Sequence, residues 1–316
     1  MSNAVPAAGD PVLCLLGPTA SGKTEAAIRL HERGDVDIIS VDSAMVYRGL
    51  DIGSAKPAPA LLARVPHALV DIRAPTDSYS VAEFVDDATR LIRDSHTAGR
   101  IPVLVGGTML YFKCLFNGLA DLPEADPAIR SRLDAEAEAD GWPALHARLA
   151  VVDSQAAGRI EPTDSQRIQR ALEVFELTGT PISVHQQRSA ARPRYRYCSL
   201  ALASDDRASL HARINQRFDT MLEQGLLDEV ADLLRQPGVH TDLPSLRAVG
   251  YRQLADHLAG HCSLEQAVKD AKTATRRLAK RQFTWLRGMP DIEVVDPLDS
   301  AVFDHIHRWV GQQLGA

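Results

Sequence analysis

The sequence predicts an α/β fold: a parallel sheet flanked by helices, with a helical insertion subdomain. Three observations carry this. An apolar run at residues 12–16 ends in a glycine-rich loop, and a stretch of helical period follows over residues 25–33. Through the first 120 residues short apolar runs alternate with helical segments, the rhythm of strands joined by crossover helices. Residues 126–180 are then charged, alanine-rich and helical in period, with no strand-like run.

Each element has its own justification. Val12-Leu13-Cys14-Leu15-Leu16 is apolar throughout, as a strand covered on both faces must be. The loop after it, Gly17-Pro18-Thr19-Ala20-Ser21-Gly22-Lys23-Thr24, matches the phosphate-binding pattern G-x-x-x-x-G-K-S/T in full and makes the expected fold P-loop NTPase-like. Residues 36–41 form a second strand and 68–72 a third. Residues 81–98 form a helix, with Ser80 as N-cap and Glu83 three positions on, a capping box. Residues 101–105 are a buried strand ended by Gly106-Gly107-Thr108, and residues 195–202 are one more. Helices return at 209–234 and 264–286. The predicted organisation is 1–122, first part of the core; 123–192, the insertion; 193–316, the remainder of the core with C-terminal helices.

Composition bounds the setting. Of 316 residues 45% are hydrophobic, enough for a substantial core. Cys14, Cys114, Cys198 and Cys262 form no C-x-x-C pair, so neither a zinc site nor a disulfide framework is expected, and a reducing cytoplasm fits. The first eleven residues carry no secretory pattern, and no run nears the roughly 18 apolar residues of a membrane span. The net charge of −6 hides local contrast. Residues 121–140 carry seven acids, from Asp121 to Asp140, against two arginines. Residues 269–287 carry seven bases against Asp270, and residues 188–196 add Arg188, Arg192, Arg194 and Arg196. Such basic stretches are either solvated helix faces or surfaces for a polyanion.

In open parallel sheets ligands bind beyond the carboxyl ends of the strands. Three groups converge there: the phosphate loop, Asp42-Ser43 after the second strand, and Gly106-Gly107-Thr108. Loop N–H groups and the following helix N-terminus suit an anion, Lys23 supplies a cation, and the Thr24 hydroxyl can reach a metal. Asp42 can take a proton from a nucleophile, hold Mg2+ through water, or cap a turn. Asp71, at another strand end, is a weaker candidate. The strand at 101–105 ends without a carboxylate and no N-K-x-D motif occurs, so hydrolysis machinery is not visible.

Seven segments, spread through almost the whole chain, narrow this further: GPTASGKT (17–24), SVDSAMVY (40–47), DIGSAKP (51–57), VGGTMLY (105–111), DSQRIQRALEV (164–174), HTDLPSLRAVGYRQ (240–253) and TRRLAKRQFTWLRG (275–288). Together they resemble the bacterial tRNA dimethylallyltransferases, also called tRNA isopentenyltransferases or the IPP transferase family. The resemblance implies transfer of a dimethylallyl group from dimethylallyl diphosphate to the exocyclic amine of the adenosine just 3′ of the anticodon, position 37, with pyrophosphate leaving. It implies Asp42, Thr19 and Lys23 as catalytic residues. It places the diphosphate on residues 17–24 with Arg217, with Arg213 one helical turn earlier, and Mg2+ near Thr24. It puts the target adenine at Asp42, Ser43, Ala44 and Met45. Thr108, Arg130, Gln166, Arg167, Ile168, Gln169, Arg170, Arg247, Ala248, Val249, Gly250, Tyr251 and Arg252 become contacts to the tRNA anticodon stem-loop. Lys280, Arg281 and Arg287 then face RNA. Phe283 and Trp285 either stack on bases or, the favoured reading, pack in the core. Two positions depart from the family. Met45 stands where many relatives have a polar residue. Ala68 stands where a second histidine is common, which leaves His67 structural. A monomer without membrane attachment is expected.

Two enzymatic rivals and one binding rival remain. An ATP-dependent small-molecule kinase shares the loop but has no use for residues 166–170 and 247–252. An isopentenyltransferase of free adenine nucleotides shares the chemistry but has less use for the insertion. An RNA-binding protein with a relic loop needs no Asp42.

Overall fold

The computed structural model describes residues 9–120, 122–188 and 195–315. Asp121, Arg192, Arg194 and the first eight residues lie outside these. Among the described residues six parallel strands form one sheet: β1 (Pro11–Leu16), β2 (Val36–Val41), β3 (His67–Ala68), β4 (Ile101–Gly106), β5 (Arg196–Leu202) and β6 (Ile292–Val295), in the order β3-β2-β4-β1-β5-β6. β1 runs between β4 and β5, Leu15 pairing with Val105 on one side and Leu200 on the other. Residues 12–16 are wholly buried, as their unbroken apolar run requires.

The strand expected at 68–72 is only two residues long. Leu69 and Asp71 take φ of 64° and 57°, left-handed values that break an extended backbone. β6, with just Ile-Glu-Val-Val, is too short and too exposed at the sheet edge to announce itself by pattern.

The helices follow in chain order. α1 (Lys23–Arg33) leaves the phosphate loop, α2 (Pro59–Arg64) begins on proline, and α3 (Val81–Thr97) carries the anticipated capping box: Ser80 Oγ accepts from Glu83 N at 3.2 Å and Glu83 Oε2 accepts from Ser80 N at 2.8 Å. α4 (Met109–Asn117) follows Gly106-Gly107-Thr108. α5 (Pro127–Asp140), α6 (Trp142–Val152), α7 (Ser154–Ala157), α8 (Ser165–Thr178) and α9 (Ile182–Arg188) fill the helical stretch. The expected helix at 209–234 is two, α10 (Arg207–Glu223) and α11 (Leu226–Leu234), divided by Gly225 at φ 99°. α12 (Tyr251–Leu258), α13 (Leu264–Arg287) and α14 (Val302–Leu314) complete the chain.

The chain divides into two compact units, Met1–Lys113 with Arg194–Ala316, and Cys114–Pro193. The first holds the sheet, with Leu13, Leu15, Ile38, Val103 and Leu200 in a core closed by Ile306 and Trp309 of α14. The second has its own core of Leu133, Leu145, Leu149, Ile168, Leu172 and Val174. Asp126 and Asp164 cap α5 and α8 through their carboxylates. Among the described residues no helix is long and apolar enough to cross a membrane.

Gly106 lets β4 meet β2 at the sheet's carboxyl edge. A Cβ there would lie 2.0 Å from the Val41 carbonyl oxygen, which belongs to the backbone and cannot move aside. Gly106→Ala is expected to cost about 3 kcal/mol or more of stability, in the range of severe overpacking, as read by urea unfolding.

Candidate functional site

The phosphate loop is built by local backbone constraint. Gly17, at φ 157°, lies so close to the end of β5 that a Cβ would sit 2.6 Å from the Leu202 oxygen. Ala20 and Gly22 take φ of 64° and 87°, curling the chain so that α1 starts at Lys23 with its N–H groups open to an anion. The Ser21 hydroxyl is buried without a protein partner.

Two cations turn into this loop. Lys23 Nζ donates to the Pro18 carbonyl at 2.8 Å. Burial pulls its pKa down to about 8; the negative charge of Asp42 opposes this and Arg217 adds to it. Arg217 on α10 donates to the Thr19 hydroxyl. Its pKa is likewise lowered by burial, with Asp42 opposing and Arg213 reinforcing. Among the described residues neither cation reaches a carboxylate within salt-bridge distance; both hydrogen-bond neutral oxygens. Both side chains are half-buried, positive charge withdrawn from water without a counter-ion is costly, and an anion on the loop would relieve that cost.

Asp42 lies at the end of β2. Its Oδ1 accepts from Ala44 N at 2.8 Å and Met45 N at 3.2 Å, a turn cap that fixes the side chain's direction. The cap uses one oxygen. Thr108 holds the same turn from the end of β4: its Oγ1 accepts from Ser43 N at 3.1 Å, and its own N–H donates to Val41 O at 3.2 Å. Met45 turns its sulfur toward the Ser40 hydroxyl at 3.9 Å. Asp71 is structural: with Asp51 it ion-pairs the buried Lys56 Nζ at 2.5 Å, and Lys56 also donates to Tyr47 O. His67 hydrogen-bonds the Val65 carbonyl through Nδ1, as a structural histidine would.

In the helical unit the expected RNA contacts separate by exposure. Gln166 and Arg167 are exposed, and Arg167 pairs with Asp164 at 3.2 Å. Ile168 is wholly buried in the core of that unit, so a side-chain contact to RNA is not available to it. Gln169 binds Asp134 at 2.7 Å. Arg130 and Arg170 share Glu173, whose side chain is 0% exposed: Arg130 Nε and Nη2 bind it at 2.8 and 3.1 Å, and Arg170 Nη1 at 2.6 Å.

In the sheet unit Arg247, Arg252, Lys280, Arg281 and Arg287 are exposed, and Ala248 and Val249 half-buried. Tyr251 is wholly buried, its hydroxyl donating to Glu229 Oε1 at 2.6 Å, so a side-chain contact to RNA is not available to it either. Glu229 also accepts from the N–H groups of Asp51, Ile52 and Gly53. Phe283 packs against Leu210, Ile214 and Ala279, in keeping with core packing.

Sequence reasoning missed Lys56, Glu229, Glu173 and Gln282. Gln282 left a signal, since it lies on the inward stripe Thr275, Ala279, Gln282, Leu286 of α13, where an amide is out of place. Among the described residues no cluster of three or more His, Cys, Asp or Glu could hold a metal.

A model of the IPP transferase family matches residues 45–289. The chain is 56% identical to a tRNA dimethylallyltransferase of Bordetella petrii over 91% of its own length and 93% of the relative's. A tRNA dimethylallyltransferase of Ralstonia pickettii is 53% identical over 96% and 95%. Among solved structures, the full-length tRNA isopentenylpyrophosphate transferase of Bacillus halodurans has a TM-score of 0.71 at 38% identity, covering 97% of both chains. A eukaryotic dimethylallyltransferase solved acting on tRNA has a TM-score of 0.78 at 25% identity, covering 96% of this chain and 78% of the other.

Proposed function

The chain belongs to the IPP transferase family, a tRNA-modifying prenyltransferase, and on that premise we propose that it moves a dimethylallyl group from dimethylallyl diphosphate to the exocyclic amine of adenosine 37 in the anticodon stem-loop. The observation that carries this is the pair of half-buried cations at the phosphate loop, Lys23 and Arg217, neither of which forms a salt bridge among the described residues, with the negative charge of Asp42 acting on both. Lys23, Arg217 and the loop N–H groups bind the diphosphate and take up the charge that grows as it leaves. The N–H donors and cations are fixed before the substrate arrives, so little reorganisation is needed at the moment of bond breaking. Thr19, gripped by Arg217, orients that cation. The adenine amine is a weak nucleophile because its lone pair is delocalised into the ring, and Asp42 accepts its proton as the new C–N bond forms. The base leaves the loop stack to reach Asp42, at a cost of a few kcal/mol.

The donor set suits Mg2+. Thr24 offers a hard hydroxyl oxygen at the start of α1 and Asp42 a carboxylate, and this ion takes most of its ligands from water and phosphate. Thr24 would hold such an ion, which would supply further charge neutralisation for the diphosphate. The exposed Arg247, Arg252, Lys280, Arg281 and Arg287 suit a phosphate backbone. The protein acts as a monomer in the cytoplasm. Incubation with dimethylallyl diphosphate, Mg2+ and unmodified tRNA, followed by mass analysis of the nucleosides, tests this reading. Transfer to AMP but not to tRNA, or steady phosphorylation of a metabolite, would replace it.

Two further outcomes are expected. Arg252→Ala weakens tRNA binding and lowers the slope of log K against log salt by about 1, as read by filter binding across salt concentrations. The second concerns Lys23, whose pKa is about 8 in the free protein. A bound diphosphate raises it, so above pH 8 binding takes up a proton and affinity falls as pH rises. Calorimetry with inorganic pyrophosphate in buffers of different ionisation enthalpy should show this uptake. Lys23→Arg, charged at every pH used, removes it.

A further inference from the structure

Resting on the prenyl-transfer reading, the geometry points to Gln282 as a positioning residue that sets the separation between the bound diphosphate and the amine presented to Asp42. Gln282 lies on α13 and is 6% exposed. Both ends of its amide are used. Oε1 accepts from the Thr19 N–H at 2.9 Å, and Nε2 donates to the Gly107 carbonyl at 2.8 Å.

These two partners belong to opposite halves of the site. Thr19 is in the phosphate loop, and its hydroxyl is already held by Arg217. Gly107 precedes Thr108, which ties down both the Ser43 N–H and the Val41 carbonyl. Asp42 stands between those two residues. An unbroken run of hydrogen bonds therefore leads from the leaving-group cradle, through one side chain, to the turn that carries the base. β1 and β4 fix the strands beneath; only Gln282 spans the loops above them among the described contacts. Gly107 makes room for it, since a Cβ at that position would run into the amide nitrogen.

The position demands an amide. An N–H faces one side and a carbonyl the other, so a single side chain must accept and donate at once. Glutamate can accept from Thr19 but sets a carboxylate against the Gly107 carbonyl. Methionine has the same length and satisfies neither. Errors of about 1 Å in the placement of reacting groups can cost 10²-fold in rate.

The test compares Gln282→Met with the wild-type protein in prenyl transfer to tRNA at saturating substrates, alongside calorimetric binding of inorganic pyrophosphate without tRNA. The expected result is a kcat lower by roughly 10–100-fold. KM for tRNA and Kd for pyrophosphate should each move less than threefold. An unchanged kcat overturns the inference. So does a pyrophosphate Kd that weakens in proportion to kcat, because Gln282 would then only support the loop. If Gln282→Met does not fold, Gln282→Glu is judged by the same two readouts. Absence of transfer by the wild-type protein would instead refute the prenyl-transfer reading, and so the two failures are distinct.

Discussion

Asp42→Asn is expected to lower kcat for prenyl transfer by roughly 10²–10⁴-fold while tRNA affinity stays within a fewfold. The choice of asparagine matters. The structure gives Asp42 a bond-making duty that has nothing to do with proton transfer: its Oδ1 caps the N–H groups of Ala44 and Met45. Alanine would remove that cap along with the base, and a loss of rate would then have two explanations. Asparagine keeps an acceptor oxygen of the same reach and loses the capacity to take a proton from the amine. It also removes the negative charge that holds up the pKa values of Lys23 and Arg217, so binding of dimethylallyl diphosphate must be measured beside the rate. Single-turnover kinetics with preformed complex separates the two. A full rate in Asp42→Asn would reduce this residue to its turn.

Glu173→Ala should lower the stability of the helical unit by about 3 kcal/mol. The carboxylate is wholly shielded and accepts four bonds, from Asp126 N at 2.8 Å, from two nitrogens of Arg130 and from Arg170. Its removal leaves two guanidinium groups facing one another and frees the start of α5, where Asp126 is the cap. Burial resists ionisation of Glu173, but Arg130, Arg170 and the Asp126 N–H overcome it and hold the pKa below the usual glutamate range. The sign follows. The unfolded chain takes up this proton at a higher pH than the folded one does. The stabilisation is complete above the ordinary glutamate pKa and is lost as pH falls through the lowered folded value. Urea unfolding near neutral and acid pH should show the difference between wild type and Glu173→Ala shrinking in acid. The arginines have a second consequence. Both were expected as RNA contacts, yet each already has a carboxylate, so any RNA phosphate must compete with Glu173.

Much of this was legible before any coordinates. The buried strands β1, β2 and β4 announced themselves because a strand covered on both faces must be largely apolar, and the loop announced itself because its glycines and lysine are not interchangeable. The capping box at Ser80 and Glu83 was readable for the same reason: two orphaned N–H groups need two particular side chains. The bounds of β3 and the existence of β6 were not, the two being two and four residues long at the sheet's edges, where long-range pairing decides and local pattern does not. Ile168 and Tyr251 show how a motif misleads. Both lie in recognisable segments beside arginine and glutamine, but helical phase turns Ile168 inward, and Glu229 draws the Tyr251 hydroxyl under cover. The roles of Glu229 and Gln282 were hidden because their loop partners are distant in sequence, even though an amide on the inward stripe of α13 marked Gln282 as unusual, and a single chain carries no record of which residues meet.

The central strand has one consequence for the protein's birth. Its neighbour β5 begins only at Arg196, after the whole helical unit has been made. On the ribosome β1 must therefore wait, one edge open and apolar, while the later helices, with a core of their own, emerge behind it. Gly17 rests on Leu202, so the anion cradle cannot take its final shape until that late strand arrives. A nascent chain cut short before residue 196 should have a folded helical domain and no capacity to hold pyrophosphate.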